Sequence, residues 1–442
     1  MSPPVLAWRT RWRVGLRPVA LWRRLRHFLG IGERVGEKLL VAEANRRYRR
    51  HPVRRILRVA RPVATTFGPS ELLVHLDPRD ALSADAVRQA LVAAWPADEA
   101  TLVVLVRWRR PPLLAGRVDA EVHSWAAVPA LVPRLPPDAG TPLLTLLDAA
   151  LRRPDVRIRV VQVGEPELLP KHPATPAEAP PTTWIVPHRG YAPWLGEGLT
   201  RIVPQLRPGR DDVIVGLDEP STPATRALQA AFPGCWFGTL TRPGVGPFVV
   251  RQRAVEQTTC PHVLFQDSDD VPTCDRAARL QVALGAMAAG ALDAVGSHEL
   301  RLDYLTGRVV AVRFPLDASA ALRVAMGHPA LFPSLLVRRA SLLAVGGFST
   351  HLRFALDTQL LLRAAPTWRV GNVDAFLYLR RRHPGSLTTD PATALSSPAR
   401  EQHRARWQHD YAAVLAGELQ PADSSLAVQR GPEYDDNALL PL

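Results

Sequence analysis

The densest chemistry in the chain lies in Val263-Leu264-Phe265-Gln266-Asp267-Ser268-Asp269-Asp270. Apolar or neutral residues run straight into three carboxylates interrupted by one serine, which reads as a buried strand whose carboxyl end opens into a cation site. Asp267 and Asp269 point the same way if the segment stays extended and diverge if a turn begins at Ser268. A helix N-cap cluster before Asp275-Arg276 is the purely structural alternative. Asp218 ends a second apolar strand, Asp357 opens a helix, and His383 follows a basic run before a Pro384-Gly385 turn.

These residues need a frame. Trp184 to Pro187 reads as a short buried strand, Pro193 to Gln205 as a helix, Asp212 to Leu217 as a strand and Thr222 to Phe232 as a helix. Gly246 to Thr258 is a third helical stretch leading into the strand at 263–266. Apolar strands alternating with helices of this length point to a parallel sheet covered on both faces. In such sheets ligands bind beyond the carboxyl ends of the strands, which is where Asp218 and Asp267 stand. Beyond the acidic motif come a helix from Arg276, an antiparallel pair over 292–314 with a Thr306-Gly307 turn, and a strand at 331–338. A helix from Asp357, a strand at 370–382 and a helix capped by Ser397 follow.

Read in order, these segments resemble the family 2 glycosyltransferases. The likeness rests on Trp184 to Pro187, Val213 to Asp218, Gly246-Pro247 with Arg251 to Ala254, Gln266 to Asp270, Val345-Gly346-Gly347-Phe348, and Arg381 to Ser386. The resemblance spans roughly residues 182–392. It implies an α/β GT-A fold, Rossmann-like with a mixed, mostly parallel sheet, preceded here by a small α/β domain. It also implies a nucleotide-diphosphate-sugar donor, a hydroxyl acceptor, a divalent metal (Mn2+ or Mg2+) and inverting transfer. Pro187, Asp218, Arg251 and Asp267 would then surround the nucleotide, and Asp269 would ligate the metal with His383 as a further ligand or phosphate contact. Gly346, Gly347 and Phe348 would shape the acceptor side, and Asp357 would be the general base.

The chemistry fits those residue types. A sugar diphosphate brings negative charge that must be neutralised before the diphosphate leaves, and a hard cation held by one or two carboxylates does this without a full protein cage. The sequence departs from the family pattern at Pro220, where glycine is lost after the acids, at Gln252 for asparagine, and at Leu356 for glutamate. His188-Arg189-Gly190 replaces the common turn after the first strand. A non-catalytic nucleotide- or sugar-binding scaffold is the competing reading.

The remaining chain divides by composition. At 442 residues and 47% hydrophobic content it is long enough for two or three domains. Residues 1–67 form an arm interleaving Trp8, Trp12 and Trp22 with arginines. It reads as a peripheral membrane contact at the inner face of a membrane, as a packing or disordered arm, or as a nucleic-acid arm, the last not expected. Residues 68–165 read as a small α/β domain, 166–183 as a proline-rich linker, 184–395 as the catalytic domain and 396–419 as a C-terminal helix. Residues 420–442 read as a disordered tail. The net charge of +14, nearly all arginine, attracts nucleic acid, anionic lipid or phosphorylated substrates alike. Three cysteines without metal-site spacing suggest a reducing, cytoplasmic compartment. No apolar run reaches the ~18 residues that span a bilayer.

Overall fold

The computed structural model describes residues 56–60, 71–83, 86, 87, 90, 91, 101–107, 117–127, 143–163, 178–286, 292–324, 328–432 and 434–442. The Trp/Arg arm up to residue 55, and with it the expected membrane contact, lies outside the described residues, as does the proline-rich run 166–177.

The described residues form two sheets. The smaller contains β1 (Ile56–Ala60), β2 (Glu71–His75), β3 (Thr101–Val106), β5 (Ser124–Ala127) and β6 (Arg157–Gln162), in the order β1-β2-β5-β3-β6. Helix α1 (Leu143–Leu151) precedes β6. β1 falls within the stretch 1–67 read as a basic arm, and its five residues pair antiparallel with β2. The larger sheet takes β4 (Val118–Glu121), β7 (Thr182–His188), β8 (Asp212–Leu217), β9 (Trp236–Leu240), β10 (His262–Phe265) and β11 (Val271–Pro272). It continues with β12 (Ala294–Asp303), β13 (Arg308–Arg313), β14 (Leu336–Arg338), β15 (Val370–Arg382) and β16 (Leu439–Pro441). Its order is β11-β15-β12-β14-β10-β7-β8-β9-β16, with β13 and β4 continuing from β12.

The mixed α/β sheet is the fold expected. One block is parallel, β10-β7-β8-β9, and parallel β12–β15 forms a second pair; β14 joins the two, antiparallel to both β10 and β12, and β11, β13, β4 and β16 are added antiparallel. Strand alternation sends Trp184, Val186, Val213, Val215 and Leu264 to one face, against α2 (Ala192–Ile202) and α5 (Arg276–Ala286). Ile185, Ile214, Val263 and Phe265 go to the other, against α4 (Pro247–Gln257) and α8 (Leu356–Ala364). Between these come α3 (Pro223–Ala231), started by a Thr222/Thr225 capping box, α6 (Ala318–Val324) and α7 (Arg339–Ala344). The last helix, α9 (Pro398–Leu415), begins at Ser397, whose Oγ accepts the Arg400 N–H, with proline in its first turn.

The segment expected to be a disordered tail is ordered. Leu426, Tyr434 and Leu439 are buried in the same core as α4 and α8, and β16 adds an antiparallel strand to the exposed edge of β9. Three widely spaced anchors in a polar segment give no hydrophobic periodicity, yet an open strand edge needs only three residues to be covered.

Candidate active site

Of the three parallel strands, β7 ends at His188, Asp218 directly follows β8, and Asp267 stands two residues beyond β10. Just beyond β10 the Asp270 N–H donates to the Asp267 carbonyl at 3.2 Å, closing a four-residue turn before β11 pairs with β15. The turn settles the question the sequence left open: the carboxylates diverge from the chain, each toward a different partner. One oxygen from each of Asp267, Asp269 and Asp270 nonetheless lies within 4.8 Å of the others.

The end of β10 is held from behind. Arg276 is fully buried and donates to the Phe265 carbonyl at 2.7 Å, to the Pro333 carbonyl at 2.9 Å and to Gln266 Oε1. Its guanidinium lies between the rings of Trp184 (5.2 Å) and Tyr378 (5.0 Å), and burial pushes it down to about 10.

Asp267 and Asp269 each meet a basic side chain, and Asp270 a backbone N–H. Asp267 pairs with Arg251, a buried α4 residue whose guanidinium lies 5.1 Å from the Phe248 ring centroid. Burial raises the Asp267 carboxyl, and Arg251 opposes this. Asp269 Oδ2 lies 2.9 Å from His383 Nε2, while His383 Nδ1 lies 2.8 Å from the Pro384 carbonyl. Both ring nitrogens face oxygens, so the arrangement suits an imidazolium donating twice. Burial opposes the charged ring, but the hydrogen bond and the charge of Asp269 outweigh it and raise the ring above its ordinary value. Asp270 is buried and accepts the Arg381 N–H at 2.7 Å; burial first, then the charges of Asp269 and Asp267, push it well above the usual carboxylate range. Three hard carboxylate oxygens this close, one of them pushed toward its neutral form, suit a divalent cation.

Arginines rim the acids. Arg381 donates to the Asp269 carbonyl at 2.8 Å and pairs with Glu197 of α2, and its guanidinium lies 5.1 Å from the Trp194 ring. Trp194 meets His383 edge-on at 4.6 Å and Tyr191 at 5.0 Å. Arg380 lies 3.6 Å from Glu299 and within the fields of Asp270 and Asp267; burial opposes its charge and the three acids outweigh that.

The other expected site residues fall in different places. Pro187 is buried within β7, opposite Gly216 of β8. The Asp218 carboxylate accepts from the N–H groups of Gly244 (2.7 Å), Val245 (2.9 Å) and Gly246 (2.9 Å). It therefore orders the loop into α4, and so the helix that presents Arg251. Gly346 and Gly347 follow α7 with φ of 83° and 69°, and a Cβ on Gly347 would sit 2.2 Å from Gln252 Oε1. Gln252 accepts the Phe348 N–H at 2.7 Å and donates to Glu256 at 2.9 Å, which gives this departure from the family pattern a structural task. Phe348 is fully buried among Phe248, Phe265 and Phe332. The structure thus makes Phe348 a core residue instead of an acceptor-lining one, because the C-terminal segment covers this turn: Arg430 donates to the Phe348 and Gly346 carbonyls.

Asp357 is half-buried in the first turn of α8, its Oδ1 accepting the Thr358 N–H at 2.9 Å. Ala355, just before the helix, holds the left-handed conformation at φ 59°. The Asp357 charge acts on Arg400 and on His328, and Arg380 acts on both as well. Arg380 thus acts both on the acidic turn and on the two cationic residues that feel Asp357. Glu197 and Arg276 escaped the sequence reading, since their partners lie far along the chain. Asp270 was legible as part of the acidic run, though only Asp269 and His383 were assigned to the metal.

No protein-family model matches this sequence, and no curated protein matches it. Among solved structures, residues 1–349 of S. aureus TarS in complex with UDP are similar at 19% identity and a TM-score of 0.38, covering 52% of this chain and 70% of that one. The UDP-GlcNAc complex of the same protein gives 18% identity and 0.38, covering 55% and 74%. The mannosyltransferase PcManGT from Pyrobaculum calidifontis, in complex with GDP-Man and Mn2+, gives 21% and 0.41, covering 60% and 72%.

Proposed function

We propose that this chain is a metal-dependent, inverting glycosyltransferase that moves a sugar from a nucleoside-diphosphate sugar to a hydroxyl acceptor. The observation that supports it is the convergence of Asp267, Asp269 and Asp270 within 4.8 Å at the carboxyl edge of a parallel block, rimmed by Arg251, Arg380 and Arg381. Acids for a cation beside arginines for phosphate are what a diphosphate leaving group requires.

Asp269 and Asp270, with Asp267 beside them, would hold Mn2+ or Mg2+. Bound there, such an ion neutralises the diphosphate as it departs. Arg251 releases Asp267 to hydrogen-bond the ribose while its own guanidinium stays near the phosphates. His383, whose Nε2 lies 2.9 Å from Asp269, would turn from that carboxylate to a phosphate oxygen. Asp357 removes the acceptor proton as the hydroxyl oxygen attacks from the face opposite the leaving group. Asp218 acts at one remove, by fixing the loop that carries α4 into place.

The test is donor turnover. Purified full-length protein is incubated with UDP-, GDP- and dTDP-sugars, with and without manganese, and release of the nucleoside diphosphate is followed. Manganese-dependent release, abolished in Asp269→Asn, is expected. Nucleotide binding without release from any donor, unchanged in Asp357→Asn, would instead mark a binding scaffold.

A further inference from the structure

The middle residue of the acidic turn is itself held, by side chains that the proposed chemistry does not use. Ser268 Oγ lies 3.0 Å from His188 Nδ1, and His188 Nε2 lies 3.5 Å from Glu219 Oε1. His188 is only 2% exposed, and neither its Nε2 nor Glu219 Oε1 has a hydrogen-bond partner within normal geometry. Both atoms are sealed from solvent, so each has the other as its nearest complement. Glu219 is fixed in turn, its Oε2 accepting the Gly190 N–H at 2.9 Å.

The tautomer follows from electrostatics. Burial pushes the His188 imidazole down to about 4, against the pull of Asp269, so the ring is neutral and has one N–H. Placing that proton on Nδ1 would turn the Nε2 lone pair toward a carboxylate oxygen, two acceptors face to face in a buried space. The proton therefore sits on Nε2, directed at Glu219, and Nδ1 accepts from the Ser268 hydroxyl. The chain Glu219, His188, Ser268 joins the ends of β8, β7 and β10.

Resting on the metal-site reading above, we infer that His188 and Glu219 are positioning residues: through Ser268 they lock the turn that spaces the three carboxylates for a cation. A serine free to rotate would let the one-residue link between Asp267 and Asp269 reorient, and the oxygens would lose their common centre. Outer groups that orient ligands in this way typically change metal affinity by roughly 10–100-fold when removed.

The probe is Mn2+ alone, titrated into the full-length chain and read as free Mn2+ by electron paramagnetic resonance. Ser268→Ala is expected to weaken binding by about 10-fold or more, and Ser268→Thr, which keeps the hydroxyl, to restore it. His188→Asn, which keeps an acceptor at the Nδ1 position, should fall between wild type and Ser268→Ala. The double variant His188→Ala/Ser268→Ala should lose no more than the worse single one. Wild-type affinity in Ser268→Ala, or losses that add in the double variant, would overturn the relay.

A second readout needs no metal. In 15N-histidine spectra His188 should be the Nε2–H tautomer, with an Nδ1 resonance that moves in Ser268→Ala. An Nδ1–H tautomer, or no movement, refutes the relay. A wild type that binds no Mn2+ but shows this tautomer and this shift would sink the metal reading and the relay's proposed purpose together, leaving only a structural hydrogen-bond chain. If His188→Ala does not fold, the serine pair and the spectra still decide the question.

Discussion

Removing residues 425–442 should destabilise the whole body built on the larger sheet, although nothing deleted belongs to the acidic turn. The segment buries Leu426 (0% exposed), Tyr434 (6%) and Leu439 (8%). At about 1.5–3 kcal/mol for each fully buried apolar side chain, their loss alone approaches ~5–9 kcal/mol. The remaining chain also loses acceptors. Arg363, buried, donates to the Leu426 carbonyl at 2.9 Å, and Arg253 donates to the Asn437 carbonyl at 2.7 Å. The sum is comparable to the ~5–15 kcal/mol that keeps an ordinary domain folded. Circular-dichroism melting of the full chain and of a chain ending at Ser424 measures this, with Leu426→Ala as a milder variant expected to cost about 2–5 kcal/mol. A truncated chain that melted cooperatively at the full-length temperature would show that the segment's packing contributes nothing.

Asp357→Asn should lower transfer by roughly 10²–10⁴-fold while leaving nucleotide-diphosphate binding intact, as separate turnover and thermal-shift measurements can show. Asp374 tests the joint between the sheets: it accepts from His298 Nε2 at 2.9 Å, Gln162 Nε2 at 3.1 Å and Arg313 at 2.9 Å. Burial works against its charge, but these partners outweigh burial and hold it down to about 2. Since the folded value lies below the unfolded one, its stabilisation is complete above about pH 4 and disappears as pH falls toward 2. That amounts to about 2 kcal/mol, and acid titration of Asp374→Asn should lack this component. Gly347→Ala should cost more than about 1 kcal/mol in denaturant melts, because left-handed backbone and a pinned Gln252 both resist the methyl.

Much of this architecture was legible where side-chain periodicity is strong. The apolar runs of β7, β8 and β10 and the cap of α9 announce themselves in a few residues, and the carboxylates that follow β8 and β10 announce the acidic edge. Short or interrupted strands did not. Trp236-Phe237-Gly238-Thr239-Leu240 breaks its pattern with glycine, and β16 is three residues in a polar segment. At the site, residue types were readable but allegiance was not. Asp218 has the sequence position of a ligand contact, yet three backbone N–H groups of the 244–246 loop claim its oxygens. Phe348 follows two glycines as an exposed turn residue would, yet three aromatic rings enclose it. Such outcomes depend on what folds over a segment from far along the chain, which local pattern does not encode.

Strand β4 lies at residues 118–121, before the proline-rich stretch, yet pairs with β13 beyond it. Leu300, Leu302, Val309 and Ala311 of the large sheet share one apolar cluster with Leu102, Val104 and the leucines of α1. Cutting the gene at the proline run, the natural choice for isolating the larger sheet, would amputate a strand from the very sheet one meant to keep and bare the greasy underside of β12 and β13. A fragment starting near residue 180 should therefore clump or demand its missing half in trans, and co-expressing the two pieces is the sounder way to take the protein apart.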